Sequence, residues 1–163
     1  MNLFCFASRN LENIRRGVDA HRWAVSTASE QTNRGRRTKA ARYFAPGDHG
    51  LLYCEQTHSF TTPFIVESKA DPDTVVKDIW PEPWVLPFAI NPLGDLSKQL
   101  HADAARMRWP LIERQWRGRG GVTAALNITG VTVFVPVAIT EEDWRLILTD
   151  LATSESPPDE AFS

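Results

Sequence analysis

The eleven residues KDIWPEPWVLP, 77–87, set tryptophans at positions 80 and 84 among prolines at 81, 83 and 87. Each proline holds φ at about −65° and removes a backbone donor, so the stretch reads as neither helix nor central strand. It is expected to be a stiff, irregular loop that opens before PFAIN resumes as a strand. Any fold for this chain therefore has to carry two of its largest side chains on a segment outside regular structure.

A chain of 163 residues suits one domain, and it can bury roughly 68–70% of its unfolded surface. We expect that domain to span residues 1–152, with 153–163 as a flexible tail or linker. Hydrophobic residues make up 42% and charged residues 23%, and no apolar run approaches the roughly 18 residues a membrane span needs. The opening MNLFCFASRN has no basic leader and reads as a buried strand, so the expected location is the cytoplasm, with no membrane partner. Cys5 and Cys54 each lie inside an apolar run and are expected to be reduced core thiols. The histidines at 21, 49, 58 and 101 form no helical ligand pair, and no phosphate loop, nucleophile elbow or zinc-deaminase signature is present. No cofactor, metal site or catalytic residue is expected.

Charge is unevenly distributed. The chain carries −2 overall, yet residues 140–163 hold seven acidic side chains against Arg145 alone, which leaves +4 on residues 1–139. Arg34, Arg36, Arg37, Lys39 and Arg42 cluster without an acid, and Arg106, Arg108, Arg114, Arg117 and Arg119 cluster with Glu113 as the single acid, Trp109 and Trp116 between them. Such density suits a surface that follows a phosphate backbone, and solvated helix faces are the plainer alternative.

The patterns along the chain predict an α+β domain. LFCFAS reads as a strand, followed by a helix to about residue 20 capped by Ser8 or Asn10, with Leu11, Ile14 and Val18 on one face. RWAVS is a short strand, 27–37 a loop, and TKAARYFA one or two helical turns ended by PGDHG. GLLYCEQ and FTTPFIVES form a hairpin turning near Thr57 to Ser59. DLSKQLHADAARM has helical spacing, VTVFVPV is a strand, and TEEDWRLILTDLA is a helix capped by Thr140 with Trp144, Ile147, Leu148 and Leu151 inward.

The stretch FASRNLENIRRGVDAHRWAVST, with Ser8, the Glu12-Asn13 pair and Trp23 ten residues beyond Asn13, resembles the opening of YTH domains and their EVE relatives in the PUA-like superfamily. The hairpin GLLYCEQTHSFTTPFIVESKADP and the loop IWPEPWVLPFAINP resemble later parts of the same domains. The likeness covers about residues 2–94 and 128–152, and 95–127 follow by analogy. It implies a small curved mixed β-sheet or open barrel flanked by helices, and a reader of modified bases that is not an enzyme. It further implies an aromatic cage with Trp23 as one wall, Trp80 as the second, and Trp84 or Leu86 closing the third side. A second alignment makes Trp84 the second wall and leaves Trp80 structural. Ser8, Asn10, Asn13 and Ser26 would meet the base edge, while Arg34, Arg36, Arg37, Lys39, Arg117 and Arg119 would grip phosphates.

Stacking on such walls is worth about 1–3 kcal/mol per base, and a fitted methyl pocket discriminates about 10–200-fold. Arg9 stands where the resemblance implies a second recognition asparagine, and Ala7 replaces a common lysine. The implied ligand is N6-methyladenine in DNA or RNA, with methylated cytosine as the other candidate. A nuclease or NTPase subunit or domain is the implied partner if the setting is a modification-dependent restriction system. Two rivals come from other classes: a PUA-like RNA-processing enzyme using Asp48, His49 and His58, and a small-ligand or protein-interaction module.

Overall fold

A strand that buries both faces alternates its side chains between two cores. Strand β1 (Asn2–Ser8) does this, sending Phe4 and Phe6 into one core and Leu3 and Cys5 into the other. The computed structural model describes residues 1–26, 37–116, 120–128 and 134–153. β1 lies parallel to β3 (His49–Cys54), and β3 runs antiparallel to β4 (Ser59–Val66), the predicted hairpin. β4 pairs with β6 (Trp84–Pro92), which pairs in turn with β2 (Arg22–Ser26) and with the short β5 (Val75–Val76). β7 (Leu100–His101) extends β4, and β8 (Val137–Ala138) flanks β1. The eight described strands form one open mixed sheet with the path β2-β6-β4-β3-β1-β8.

One core holds Phe4, Phe6, Phe44, Phe64, Phe88 and Phe134 together with Trp23, Trp80 and Trp84, and helix α1 (Leu11–Ala20) packs against it. Helical residues 37–41, α2, bring Ala41 and the following Phe44 to the same side. The other core lies under α3 (Ala102–Arg108), α4 (Pro110–Trp116), α5 (Val122–Ala125) and α6 (Glu141–Leu151). The two cysteines are free and buried, and burial pushes the Cys5 thiol far above its usual range.

Local signals set both terminal helices. Asn10 caps α1, its Oδ1 accepting the Asn13 N–H at 2.9 Å, and His21 ends the helix in the left-handed region at φ 53°. Thr140 and Asp143 form the reciprocal capping box of α6, with Trp144, Ile147 and Leu151 buried and Leu148 only partly so. In the middle of α1, glycine costs about 1 kcal/mol against alanine. Gly17 is explained by close approach, since a Cβ there would lie 2.7 Å from Trp23 Cε3 and 2.8 Å from the Arg22 carbonyl oxygen.

Three expectations need correction. The proline-rich segment is not loop throughout: β6 starts at Trp84 and runs through Pro87. A bulge permits this. Trp23 pairs with Phe88 and Val25 with Val85, so β6 carries one extra residue, Leu86 takes φ 55°, and Pro87 sits where the ladder is broken. The second correction concerns residues 95–107, which are not one helix, because Leu100 and His101 pair with β4 and α3 begins at Ala102 with His101 as its cap. Helix α4 follows directly, with Pro110 as its first residue, a place where a missing N–H costs nothing. Of VTVFVPV, residues 131–133 lie outside the described residues, as do 154–163 of the expected tail, and only Val137 of the run is in a described strand.

Third, the arginines of 106–114 do not form an open phosphate track. Arg108 donates from Nε to both oxygens of Asp150 at 3.0 Å, Trp109 Nε1 donates to the same carboxylate at 2.8 Å, and Arg114 pairs with Asp143. Arg106 pairs with Glu113 at 3.0 Å and lies 4.2 Å above the Trp116 ring. The acidic C-terminal helix and the basic segment thus neutralise each other within the fold.

Burial alone would raise the Asp150 and Asp143 carboxyls. Hydrogen bonds from Arg108 and Trp109 to the first, and from Thr140 and Arg114 to the second, outweigh it and hold both below the ordinary 3.8. A depressed folded-state value means the unfolded chain binds more protons as pH falls. The stabilisation is therefore whole above the ordinary carboxylate range and is lost as pH drops through it. Urea midpoints measured between about pH 6 and about pH 3 should fall on the acid side, and Asp150→Asn should flatten that decline. An unchanged acid limb in the variant would contradict the assignment.

Candidate functional site

Where β1 ends, the chain turns through Arg9 and Asn10 into α1, and this corner faces the start of β2 and the start of β6. A groove of about 650 Å³ lies between them, lined among the described residues by Ser8, Asn10, Asn13, Trp23, Ser26 and Trp84. Three indoles build its aromatic side. Trp80 and Trp84 stack at 4.1 Å and 8°, and Trp23 stands edge-on to both, at 5.8 Å and 83° and at 5.3 Å and 81°. Trp80 is anchored by its Nε1–H, which donates to the Asn13 carbonyl at 2.9 Å.

The result is an L-shaped corner. A ring inserted between two others needs van der Waals distance of about 3.5–4.0 Å on each face, so nothing fits between Trp80 and Trp84 as they stand. Of the two tryptophans in the proline-rich segment, Trp84 lines the groove and Trp80 does not, because its ring is stacked against Trp84 and tied to α1. Leu86 does not line it either. The positive φ at the bulge places that residue on a smaller neighbouring cavity. The walls are nearly covered here: Trp23 is 1% exposed and Trp84 6%.

Polar groups meet this corner. Ser8 is 5% exposed, and its Oγ has no hydrogen-bond partner among the described residues. A buried hydroxyl left unpaired costs about 1–3 kcal/mol, so its presence in a lined groove is informative. Asn10 gives one side-chain oxygen to capping, and Asn13, half-buried, presents its side chain to the groove. Ser26 is half-buried at the end of β2, its carbonyl accepting from Arg37 Nη1 at 3.4 Å.

The expected phosphate-gripping residues divide. Arg37 is 7% exposed and lines the groove from inside, so it is no rim residue, whereas Lys39 is exposed. Arg34, Arg36, Arg117 and Arg119 lie outside the described residues. Three charged lining residues carry no role in the sequence reading: Glu55, in the turn after β3, Glu82, between the prolines, and the exposed Arg9. The alternation of proline and acid in PEP offers a signal for Glu82, but nothing local marks Glu55. Of the residues considered for catalysis, Asp48 accepts the Ala45 N–H at 2.9 Å, and His49 packs edge-on against Trp144 at 4.6 Å with burial lowering its pKa. Neither lines the groove.

The parallel β1–β3 pair at the centre of an open mixed sheet, with the capped α1 crossing from β1 to the edge strand β2, gives the chain a YTH-like fold. The YTH domain of Zygosaccharomyces rouxii MRB1 in complex with N6-methyladenosine RNA superposes at a TM-score of 0.59 and 16% identity, over 94% of this chain and 89% of that one. The Mmi1 YTH domain matches at 0.52 and 13%, covering 91% and 94%, and its complex with RNA at 0.52 and 13%, covering 91% and 77%. No protein-family model and no curated protein matches the sequence. No helix among the described residues is long and apolar enough to cross a membrane.

Proposed function

We propose that the chain binds nucleic acid containing a methylated base, taking the flipped or unpaired base into the tryptophan corner. The observation that carries this reading is the buried Ser8 hydroxyl, unpartnered among the described residues, in a groove walled by Trp23 and Trp84. A flat ring stacks on one indole while its methyl group meets the other. Burying that methyl adds roughly 0.8 kcal/mol or more, and a shaped pocket turns it into discrimination. Ser8, Asn10 and Asn13 test the base edge, where hydrogen bonds rather than stacking carry identity. Insertion draws the 77–83 segment outward, since Trp84 is 6% exposed without a ligand.

N6-methyladenine in RNA is the favoured ligand, supported by the MRB1 complex with N6-methyladenosine RNA and, for RNA alone, by the Mmi1 complex. Exposed basic residues such as Lys39 would hold the backbone through salt-sensitive contacts. The module itself is read as non-catalytic. In a restriction setting, cleavage and translocation would belong to a nuclease or NTPase partner.

The test is a fluorescence-anisotropy titration at fixed salt with short RNA and DNA carrying adenine, N6-methyladenine, cytosine or 5-methylcytosine. Tenfold or better preference for one methylated base is expected. Ser8→Ala should weaken that complex several-fold while leaving the melting temperature level or slightly raised, because it removes an unsatisfied buried group. Equal binding of all oligonucleotides would reduce the protein to a backbone binder.

A further inference from the structure

Between β5 and β6 the chain leaves the sheet after Val76 and returns at Trp84, and those two residues pair with each other across the β5–β6 ladder. Residues 77–83 therefore form a flap whose base is closed by strand pairing. Lys77, Asp78, Pro81, Glu82 and Pro83 are exposed and Ile79 is half-buried, whereas Trp80 is 3% exposed. A segment with so little burial depends for its closed position on the hold over its one buried side chain.

That hold comes from two sides. The Trp80 ring lies on Trp84 at 4.1 Å and 8°, and its Nε1–H donates to the Asn13 carbonyl at 2.9 Å. Beside it, Arg16 Nη1 donates to the Ile79 carbonyl at 3.4 Å. Asn13 and Arg16 are neighbours one turn apart on α1, so both tethers end on one face of that helix. None of these contacts belongs to the sheet ladder, and the flap can swing about the Val76–Trp84 pair without unpairing a strand.

Trp80 also holds the position a base needs. Indole is a flat pair of fused rings with an N–H donor, much the shape of a purine. Where it lies, it stacks on Trp84 and stands edge-on to Trp23 at 5.8 Å and 83°. With Trp23 at 1% exposure and Trp84 at 6%, neither indole offers an open face for a base to stack on.

We infer that Trp80 is an internal competitor for the base site: the free protein is self-occupied, and a methylated base binds by displacing the Trp80 indole from Trp84 as α1 releases its hold at Asn13 and Arg16. This rests on the base-binding reading of the groove and adds what limits its affinity. The apparent affinity is the intrinsic one scaled by the fraction of molecules whose flap is open. Loosening a tether therefore tightens binding, the reverse of what losing a cage wall or damaging the fold would do.

The test pairs anisotropy with far-ultraviolet circular dichroism, in which two stacked indoles give an exciton couplet. The probes are short RNAs carrying one N6-methyladenine or one adenine, with the spectrum of free RNA subtracted. The proteins are the wild type, Trp80→Phe, which keeps a ring without the N–H, and Arg16→Met, which keeps a stem without the donor. Absence of the couplet from free Trp80→Phe assigns it, and in the wild type it should vanish in step with binding of the methylated RNA. Trp80→Phe should bind that RNA about fivefold tighter and Arg16→Met about twofold, the scale of one net hydrogen bond, with the methyl preference kept. A couplet that persists at saturation overturns the competitor and leaves the reader standing. Trp80→Phe binding no tighter than the wild type overturns it as well, and loss of methyl preference in that variant would make Trp80 a wall. Methyl preference seen only in Trp80→Phe upholds the competitor, its hold then being too strong for the base to break. No methyl preference in any of the three proteins defeats reader and competitor together.

Discussion

Trp23→Ala is expected to lose about 3–5 kcal/mol of stability together with all methyl discrimination, the usual range for deleting a fully buried tryptophan. The ring is 1% exposed and touches Trp80 and Trp84 edge-on. It also lies against the gap that Gly17 leaves in α1. Removing it opens a cavity beneath both other indoles, at the point where β2 pairs with Phe88 of β6. Because folding and binding fall together, Trp23→Phe is the informative companion. Phenylalanine keeps a flat wall, so it should retain most of the stability and part of the discrimination. Chemical denaturation and anisotropy measured on both variants separate the effects. A stable Trp23→Ala protein that still prefers a methylated base would sink the proposed site.

Gly50→Ala should be comparably severe at a position remote from the groove. A methyl group there would lie 2.1 Å from the Phe64 ring carbons Cε2 and Cζ, and Phe64 is Gly50's partner across the β3–β4 pair. Overpacking costs typically about 1–3 kcal/mol and occasionally more. The upper end applies here because Phe64 has no exposed surface and is enclosed by Phe6 and Phe88, so the ring has nowhere to retreat. Against a total stability of about 5–15 kcal/mol, a loss of about 3 kcal/mol or more should show directly in the urea midpoint. Gly120→Ala, where no described atom lies within 4 Å of the added methyl, is the control. A loss under about 1 kcal/mol at Gly50 would mean the sheet is looser than its geometry implies.

Both predictions depend on partners far away in sequence, and this is where the sequence reading stopped. LFCFAS, the Asn10 cap and the Thr140 capping box were legible because each is a contest among neighbouring residues. The hairpin was legible for the same reason. The helix expected over 95–107 failed because Leu100 and His101 found hydrogen bonds on β4, a claim from forty residues away that overrode local helical spacing. The open basic surface at 106–114 failed because the acids of α6 fold onto it.

By itself, then, the sequence determined strands β1 to β4, helices α1 and α6 with the residues that cap them, that both cysteines are buried, and that tryptophans gather near proline. Tertiary structure alone decided which tryptophan faces the groove, since the Trp80 ring is held by a carbonyl 67 residues away. It also decided that Ser8 is buried, with no partner among the described residues, and that Arg37 is buried too. These are outcomes of strand register and helix packing, where one extra residue in β6 sends Leu86 to a different cavity, and no pattern within a single segment encodes them.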